Sequence, residues 1–164
     1  MRAKEFITEY RRGIIDHLYR LLPNWPRYVV RDWLYQSFSR KDFTARSDID
    51  GTVDELLGMF GVDADTQWQL VKFNFKMGIW EPQTEEKLRE RMGTSAVDWV
   101  PNDEQRHQTQ ARLAAQQGGI RNEPVIIIDT PQGYDLVEGW HRTIQHFKMN
   151  PDGYVGPAWV AKQS

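Results

Sequence analysis

The sequence predicts an α+β protein in which a small mixed sheet, with its own helices, follows a helical extension. Residues 4–22 carry apolar side chains at three- and four-residue steps, which is typical of an amphipathic helix. Residues 68–77 alternate apolar and polar side chains, and residues 125–128 form an unbroken apolar run; both patterns are typical of strands. This change of pattern divides the chain into an extension over residues 1–66 and a core over residues 67–164.

The extension is predicted to be helical throughout except at two interruptions. The expected order is helix, Pro-containing link, helix, polar loop and helix, at residues 4–22, 23–26, 27–38, 39–51 and 52–60. Two helices across a short link indicate a helical hairpin. Thr52 is expected to cap the third helix, because Glu55 stands in the capping-box position, and Gly61 is expected to end it.

The core is predicted to alternate strands and helices. The expected order is strand, helix, helix, strand, strand, helix and strand, at residues 68–77, 84–92, 102–117, 123–129, 134–137, 140–147 and 156–161. The continuous apolar run at residues 125–128 indicates a strand that is buried on both faces. Trp140, Ile144 and Phe147 recur at helical spacing, so the last helix is expected to bury them.

Composition excludes several classes of protein. At 40% hydrophobic and 27% charged residues, the chain is typical of globular proteins. Its longest purely apolar run, Val125–Ile128, is far too short to cross a membrane, and no membrane partner is expected. The chain has no cysteine, which excludes disulfides, thiolate catalysis and Cys-based zinc sites and favours a cytoplasmic location. The N-terminal residues include acidic side chains and lack the apolar stretch of a secretory signal.

Charge is unevenly distributed along the chain. Residues 1–46 hold ten Lys and Arg against five Asp and Glu, whereas the remaining residues hold eleven against eighteen. A basic segment on an acidic body indicates either a surface for DNA or an acidic protein partner, or an ordinary solvated helical face. The spacing of the four histidines fits no helical zinc motif, and no metal site is predicted from them.

A turn at Glu138-Gly139 separates the strand over residues 134–137 from the helix that follows. Gly139 permits a sharp turn, after which the first helical amides have no partner in their own helix. Such a helix start attracts anions. His141, Arg142 and Thr143 in the first turn add a titratable donor, a fixed cation and a hydroxyl. The segment is therefore predicted to bind phosphate.

The order of these elements resembles the ParB/sulfiredoxin-like domain over roughly the last three-fifths of the chain. The matching pieces are a helix, a Pro-containing strand, a strand ending in a Gly-x-His-Arg turn, and a final strand with a Gly-Pro dipeptide, at residues 102–119, 123–128, 134–142 and 156–160. The opening residues Met1–Glu9 resemble the starts of small marine tailed-phage proteins, which implies a phage-encoded protein acting in the host cytoplasm.

The resemblance implies a ParB/sulfiredoxin-like core that holds nucleotide phosphates at Gly139, His141 and Arg142. Thr143 is added from its position alone. Sulfiredoxins use a cysteine as the nucleophile, and Trp140 stands at that position here. An indole is no nucleophile towards phosphorus, so sulfiredoxin chemistry is excluded. ParB proteins bind CTP with this corner and carry a DNA-binding module after the core, which has no counterpart before Ser164.

Each residue of the predicted site has a second interpretation. Arg142 either grips a phosphate or pairs with Glu138 or Asp135 and holds the turn. His141 either donates to a phosphate and shuttles protons as a catalytic group, or caps the strand end by bonding a carbonyl. Glu138 either holds Mg²⁺ or orients a water for hydrolysis, or is simply solvated or paired with an arginine.

Two further arginines are weaker members of the predicted phosphate site. Arg121 stands just before the buried strand, close to where the family approaches its ligand, and the other interpretation is an ordinary surface arginine. Arg106 stands at the start of the preceding helix, where the family often turns an arginine towards the nucleotide.

Three functions follow from these observations. The first is a protein that binds a nucleoside triphosphate, with Mg²⁺, and hydrolyses it slowly. The second is a non-enzymatic regulatory module that binds DNA or protein through the basic residues 1–46. The third is a ParB-like nuclease, which the absence of carboxylates at metal-ligand spacing disfavours.

Overall fold

The computed structural model describes residues 3–40, 49–93 and 123–164, which form two compact units. The first unit comprises Met1–Trp68 and Ala161–Ser164, and the second comprises Gln69–Val160. Helices and a small mixed four-stranded sheet confirm the predicted α+β class. Within the described ranges, none of the helices combines the length and the apolar composition that crossing a lipid bilayer requires.

The first unit is helical. Its elements are α1 (Ala3–Leu21), α2 (Arg27–Val29), a π-helical segment (Val30–Leu34), α3 (Tyr35–Arg40) and α4 (Ile49–Met59). The run from α2 to α3 corresponds to the single helix predicted over residues 27–38. It widens in the middle, where the Tyr35 N–H donates to the carbonyl of Val30 five residues back. Apolar spacing alone did not indicate this wider turn.

An aromatic cluster lies in the core of the first unit. The rings of Trp25 and Trp33 stack with centroids 6.0 Å apart, and the Trp68 ring meets both of them edge-on. Trp25 Nε1 donates to the carbonyl of Asp63 at 3.0 Å. Trp25 and Trp33 are buried, so these indoles contribute to packing and do not stack on external bases.

Two boundaries in the first unit differ from the sequence predictions. The helix α3 continues to Arg40 and α4 begins at Ile49, so the predicted polar loop is shortened from both ends. Thr52 lies inside α4 and is buried, and it is therefore not the N-cap. Apolar packing of this helix outweighs the capping preference of threonine, which is a local and modest effect.

The end of α4 follows the prediction. Gly61 adopts a left-handed conformation with φ of 67°. The N–H of Val62 donates to the Leu57 carbonyl at 3.1 Å, and the N–H of Gly61 donates to the Gly58 carbonyl at 3.2 Å. This pair of bonds is a Schellman motif, which satisfies two carbonyls that the helix end leaves open.

The second unit is built around the sheet. Its elements are β1 (Trp68–Phe75), α5 (Pro82–Gly93), β2 (Val125–Thr130), β3 (Gly133–Glu138), α6 (Trp140–Met149) and β4 (Tyr154–Lys162). The strand order is β1-β4-β2-β3, and β2 and β3 form an antiparallel hairpin. The helix predicted over residues 102–117 lies outside the described residues.

The core of the second unit confirms the expected burial of β2. Ile126, Ile127 and Ile128 have no exposed surface, so both faces of the strand are covered. Ile144 and Phe147 of α6 are also fully buried in this unit's core. Trp140, which helical spacing grouped with them, is only half-buried at the start of the helix.

Residues 79–81 run alongside β3 and are hydrogen-bonded to it. The Tyr134 N–H donates to the Ile79 carbonyl at 3.0 Å, and the Glu81 N–H donates to the Tyr134 carbonyl at 2.9 Å. Trp80 therefore forms a parallel bridge with Tyr134. At Gly133 a Cβ would lie 2.7 Å from the Glu81 nitrogen, so only glycine permits this approach.

Candidate functional site

A β-bulge leads into the corner between β3 and α6. Ile127 pairs with Leu136, but Ile126 pairs with Glu138, so Val137 is the extra residue on β3. Such a bulge bends its strand and increases the local twist. It lies directly before the turn at Gly139, and it therefore helps to direct the start of α6.

Gly139 is the N-cap of α6 and has a backbone that other residues rarely adopt. Its φ is 97° and its ψ is 24°. A Cβ at this position would lie 2.5 Å from Cγ1 of Val125, well inside van der Waals contact. Both the backbone angle and the close approach of β2 therefore require glycine. The sequence prediction of a sharp turn here agrees with this geometry.

The first amides of α6 precede its hydrogen-bond ladder. The N–H of Thr143 donates to the Gly139 carbonyl at 3.0 Å, which is the first bond of the helix. The N-cap residue, Gly139, has no side chain with which to cap this end. The N–H groups of Trp140, His141 and Arg142 therefore form the positive end of the helix dipole, an arrangement that favours an anion.

Thr143 stabilises the corner from within. Its Oγ1 donates to the Gly139 carbonyl at 2.8 Å, and the residue is fully buried. Its hydroxyl is therefore already used by its own helix. The structure places Thr143 at the predicted corner but gives its side chain a contact that differs from the predicted phosphate contact.

Arg142 is held by the residues that precede β2. Its Nη1 donates to the carbonyl of Glu123 and to that residue's Oε2, each at 3.3 Å, and its Nη2 donates to the Pro124 carbonyl at 3.5 Å. The partner carboxylate is thus Glu123, whereas the sequence suggested Glu138 or Asp135. The Arg142 side chain is only 15% exposed, so these contacts fix the plane of its guanidinium.

A shallow recess opens beside Arg142. It is lined by nine residues of the second unit, among them Arg142, Glu123, His146 and Tyr154. It holds about 10 Å³, which is room for about one water molecule. A phosphate entering this recess would have to displace the Glu123 carboxylate, which is 52% exposed.

Tyr154 forms the floor of the recess. Its ring stacks on Phe75 with centroids 4.5 Å apart and on His146 with centroids 4.7 Å apart. Burial raises the pKa of the Tyr154 phenol well above its ordinary value, although a hydrogen bond with Thr143 and the charge of Arg142 act in the opposite direction. The phenol therefore stays protonated and polar at neutral pH.

Two other predicted residues belong to the elements that meet at this corner. Glu138 ends β3 and His141 stands in the first turn of α6, and both are half-buried. Trp140, at the cysteine position of the family motif, lies beneath a cation: Lys87 Nζ is 4.6 Å from its ring centroid. Arg121 and Arg106 lie outside the described residues.

A carboxylate pair lies at the start of α5. The Oγ1 of Thr84 donates to Oδ1 of Asp135 at 3.3 Å. Burial, and next the nearby negative charge of Glu81, raise the pKa of Asp135. Within residues 3–40, 49–93 and 123–164, no three His, Asp or Glu side chains cluster as metal ligands.

Sequence reasoning did not identify Glu123, His146 or Tyr154 as neighbours of Arg142. Glu123 and Arg142 are 19 residues apart in sequence and meet only because β2 lies against the start of α6. The spacing of His146, one turn after Arg142 on the helix, was the single available signal. Tyr154 begins β4, and no local pattern connects it with the corner.

Comparison with known proteins adds no evidence about this corner. No protein-family model, no curated protein and no solved structure matches the chain. The resemblance to the ParB/sulfiredoxin-like domain therefore rests on the Gly-x-His-Arg residues at positions 139–142 and on the order of the elements around them.

Proposed function

We propose that this chain binds the phosphate groups of a nucleoside triphosphate at the start of α6, as a protein of the ParB/sulfiredoxin-like type. The observation that carries the proposal is the corner at Gly139, where a left-handed glycine is the N-cap of a ten-residue helix. Helix-start amides and the helix dipole together favour a polyanion. The lack of cysteine is consistent with a cytoplasmic location.

Arg142 is the main side chain of the proposed site. The carbonyls of Glu123 and Pro124 hold its guanidinium in one plane, so little side-chain entropy remains to be lost on binding. In the absence of nucleotide, the carboxylate of Glu123 neutralises its charge. An incoming phosphate takes the place of this carboxylate and forms charge-assisted hydrogen bonds with Arg142 and with the helix amides.

Mg²⁺ completes the proposed complex. A polyphosphate beside Glu138 and Glu123 needs a cation to reduce the repulsion between like charges. In this proposal Glu138, at the end of β3, would hold Mg²⁺ or orient a water, and His141, in the first turn of α6, would donate a proton during slow hydrolysis. In this proposal Thr143 shapes the corner, because its hydroxyl is bonded to Gly139.

The test is a thermal unfolding panel with ATP, CTP, GTP and UTP, each with and without Mg²⁺. A ligand at a hundred times its dissociation constant adds about 2.7 kcal/mol to the free energy of unfolding, which raises Tm by several degrees. The expected result is a shift with at least one nucleotide that is lost in Arg142→Gln. Release of inorganic phosphate over hours then measures hydrolysis.

A matched variant separates the site from general charge. Arg89→Gln makes the same charge change on α5, where Arg89 is 61% exposed and pairs with Glu85 at 2.8 Å. This variant is expected to keep the nucleotide shift. If no nucleotide raises Tm at millimolar concentration, or if both variants lose the shift equally, the phosphate site is not at α6.

A further inference from the structure

The surface of the first unit carries two arginine–tyrosine stacks. The guanidinium carbon of Arg27 in α2 lies 4.8 Å from the centroid of the Tyr19 ring in α1. The guanidinium carbon of Arg31 lies 5.7 Å from the Tyr28 ring. Both arginines are exposed and both tyrosines are half-buried. Each ring therefore lies beneath an exposed guanidinium group.

The segment that carries these stacks, residues 11–37, bears mostly positive charge. Among the described side chains of residues 11–37, five arginines are exposed, at positions 11, 12, 20, 27 and 31, and the acidic residues are Asp16 and Asp32. All of these cations are arginines, whose planar guanidinium binds phosphates and stacks on rings in ways that lysine does not. The surface is thus suited to a ligand that offers phosphates and flat rings together.

Asp32 orients one of the two stacks. It accepts from Nε of Arg31 at 3.2 Å and from Nη2 at 2.9 Å, and Arg31 remains 57% exposed. This two-point contact holds the guanidinium in one plane over Tyr28. The Arg31 stack is therefore ordered before any ligand arrives, which lowers the entropy lost on binding.

We propose that Tyr19, Arg27, Tyr28 and Arg31 form a binding surface for single-stranded nucleic acid. Unpaired bases stack on aromatic rings and on arginine planes, whereas the bases of a duplex are already stacked on one another. The outer face of each guanidinium takes a base, and the surrounding arginines contact the backbone phosphates. Its residues belong to the first unit and α6 belongs to the second, so the proposal stands whether or not the corner at Gly139 binds a nucleotide.

The test is fluorescence anisotropy of the full chain with a fluorescein-labelled single-stranded oligothymidylate at low salt. Arg27→Gln with Arg31→Gln removes two cations, and the slope of log K against log salt is expected to fall by about 0.7 for each phosphate that the variant no longer neutralises. Tyr19→Leu with Tyr28→Leu keeps all the charges. Its affinity is expected to fall by about tenfold, because the guanidinium planes lose the rings that support them, while the salt slope stays unchanged.

Two controls make the result specific. Tyr19→Phe with Tyr28→Phe retains the rings and is expected to bind like the native chain. Lys72→Gln with Lys76→Gln makes the same charge change as the double arginine variant, at exposed positions of the second unit. It is expected to leave the affinity within about twofold of the native value, because surface charges away from the stacks contribute only a screened, long-range attraction.

Several outcomes would overturn the proposal. One is the absence of any anisotropy change at low salt, and another is an equal loss of affinity in the lysine and arginine variants. Tighter binding of a duplex than of a single strand of the same length would show that the guanidinium planes of Arg27 and Arg31 do not stack on bases. Tighter binding of a labelled polyglutamate peptide would assign the surface to an acidic protein partner instead.

Discussion

Replacing Gly139 by alanine tests the geometry of the corner most directly. Alanine at φ of 97° lies in the left-handed region, which costs about 1–2 kcal/mol for a residue with a Cβ. The new Cβ would also lie 2.5 Å from Cγ1 of Val125, and overpacking of this kind typically costs about 1–3 kcal/mol. Together these effects predict that Gly139→Ala lowers the free energy of unfolding by about 2–5 kcal/mol.

Gly78 provides a matched control in the same unit. Its φ of 92° is close to that of Gly139, but a Cβ there has nothing within 4 Å. Gly78→Ala therefore isolates the backbone cost, and it is expected to lose only about 1–2 kcal/mol. Urea denaturation, followed by tryptophan fluorescence and by circular dichroism, measures both variants. The difference between them is the contribution of the close approach to Val125.

The double variant Gly139→Ala, Val125→Ala completes a thermodynamic cycle. Removing the methyl groups of Val125 relieves the closer contact and leaves its Cβ at 2.9 Å, so the double variant is expected to be about 1 kcal/mol more stable than the sum of the single changes predicts. The reasoning is refuted if Gly139→Ala loses no more stability than Gly78→Ala, or if the two changes at positions 139 and 125 are additive.

Three other substitutions test separate interactions. Glu123→Gln removes the ion pair with Arg142, so it is expected to cost less than about 1 kcal/mol of stability. The same change is expected to strengthen the binding of inorganic pyrophosphate, measured by calorimetry. Unchanged binding would exclude competition by Glu123 for Arg142 without excluding the nucleotide site. Burial raises the pKa of Asp135 above its ordinary 3.8, so the folded state holds this proton more tightly than the unfolded state does. The free energy of unfolding therefore falls as pH rises from 3.8 through the raised value. The free energy of unfolding gained by Asp135→Asn over the native protein is therefore expected to be larger at pH 7 than at pH 3. An identical pH profile in the two proteins would contradict this. Trp25→Phe leaves the Asp63 carbonyl without its donor and is expected to cost about 1–3 kcal/mol in urea denaturation, whereas a change within error would show that water replaces the indole.

The elements set by local patterns could be predicted from the sequence. Alternation over residues 68–77 indicated β1, the apolar run indicated β2 with both faces buried, and Gly61 ended α4 as expected. The start of α4 could not be predicted from its cap, because the side chain of Thr52 is buried in the folded unit. Packing among distant residues overrode a local preference there.

In the candidate site, too, features set by local sequence could be predicted, whereas contacts between distant residues could not. The sharp turn at Gly139 followed from residue type, because few other residues tolerate that backbone. The partner of Arg142 could not be deduced, since Glu123 reaches it only when β2 lies against α6. The use of the Thr143 hydroxyl by the Gly139 carbonyl was equally hidden, because a first-turn threonine can bond either its own helix or a ligand.

The strand order has a consequence for how the chain folds. The β2–β3 hairpin closes a two-residue turn, and α6 follows it directly, so these elements form from local contacts. In the sheet as described, β1 has β4 as its single neighbour, and the two strands are about 80 residues apart in sequence. Closing so long a loop costs entropy, which the bonds of residues 79–81 with Tyr134 of β3 offset only in part. Refolding is therefore expected to show a fast hairpin phase and a slower phase in which β4 enters between β1 and β2, with strand edges open to aggregation in the interval.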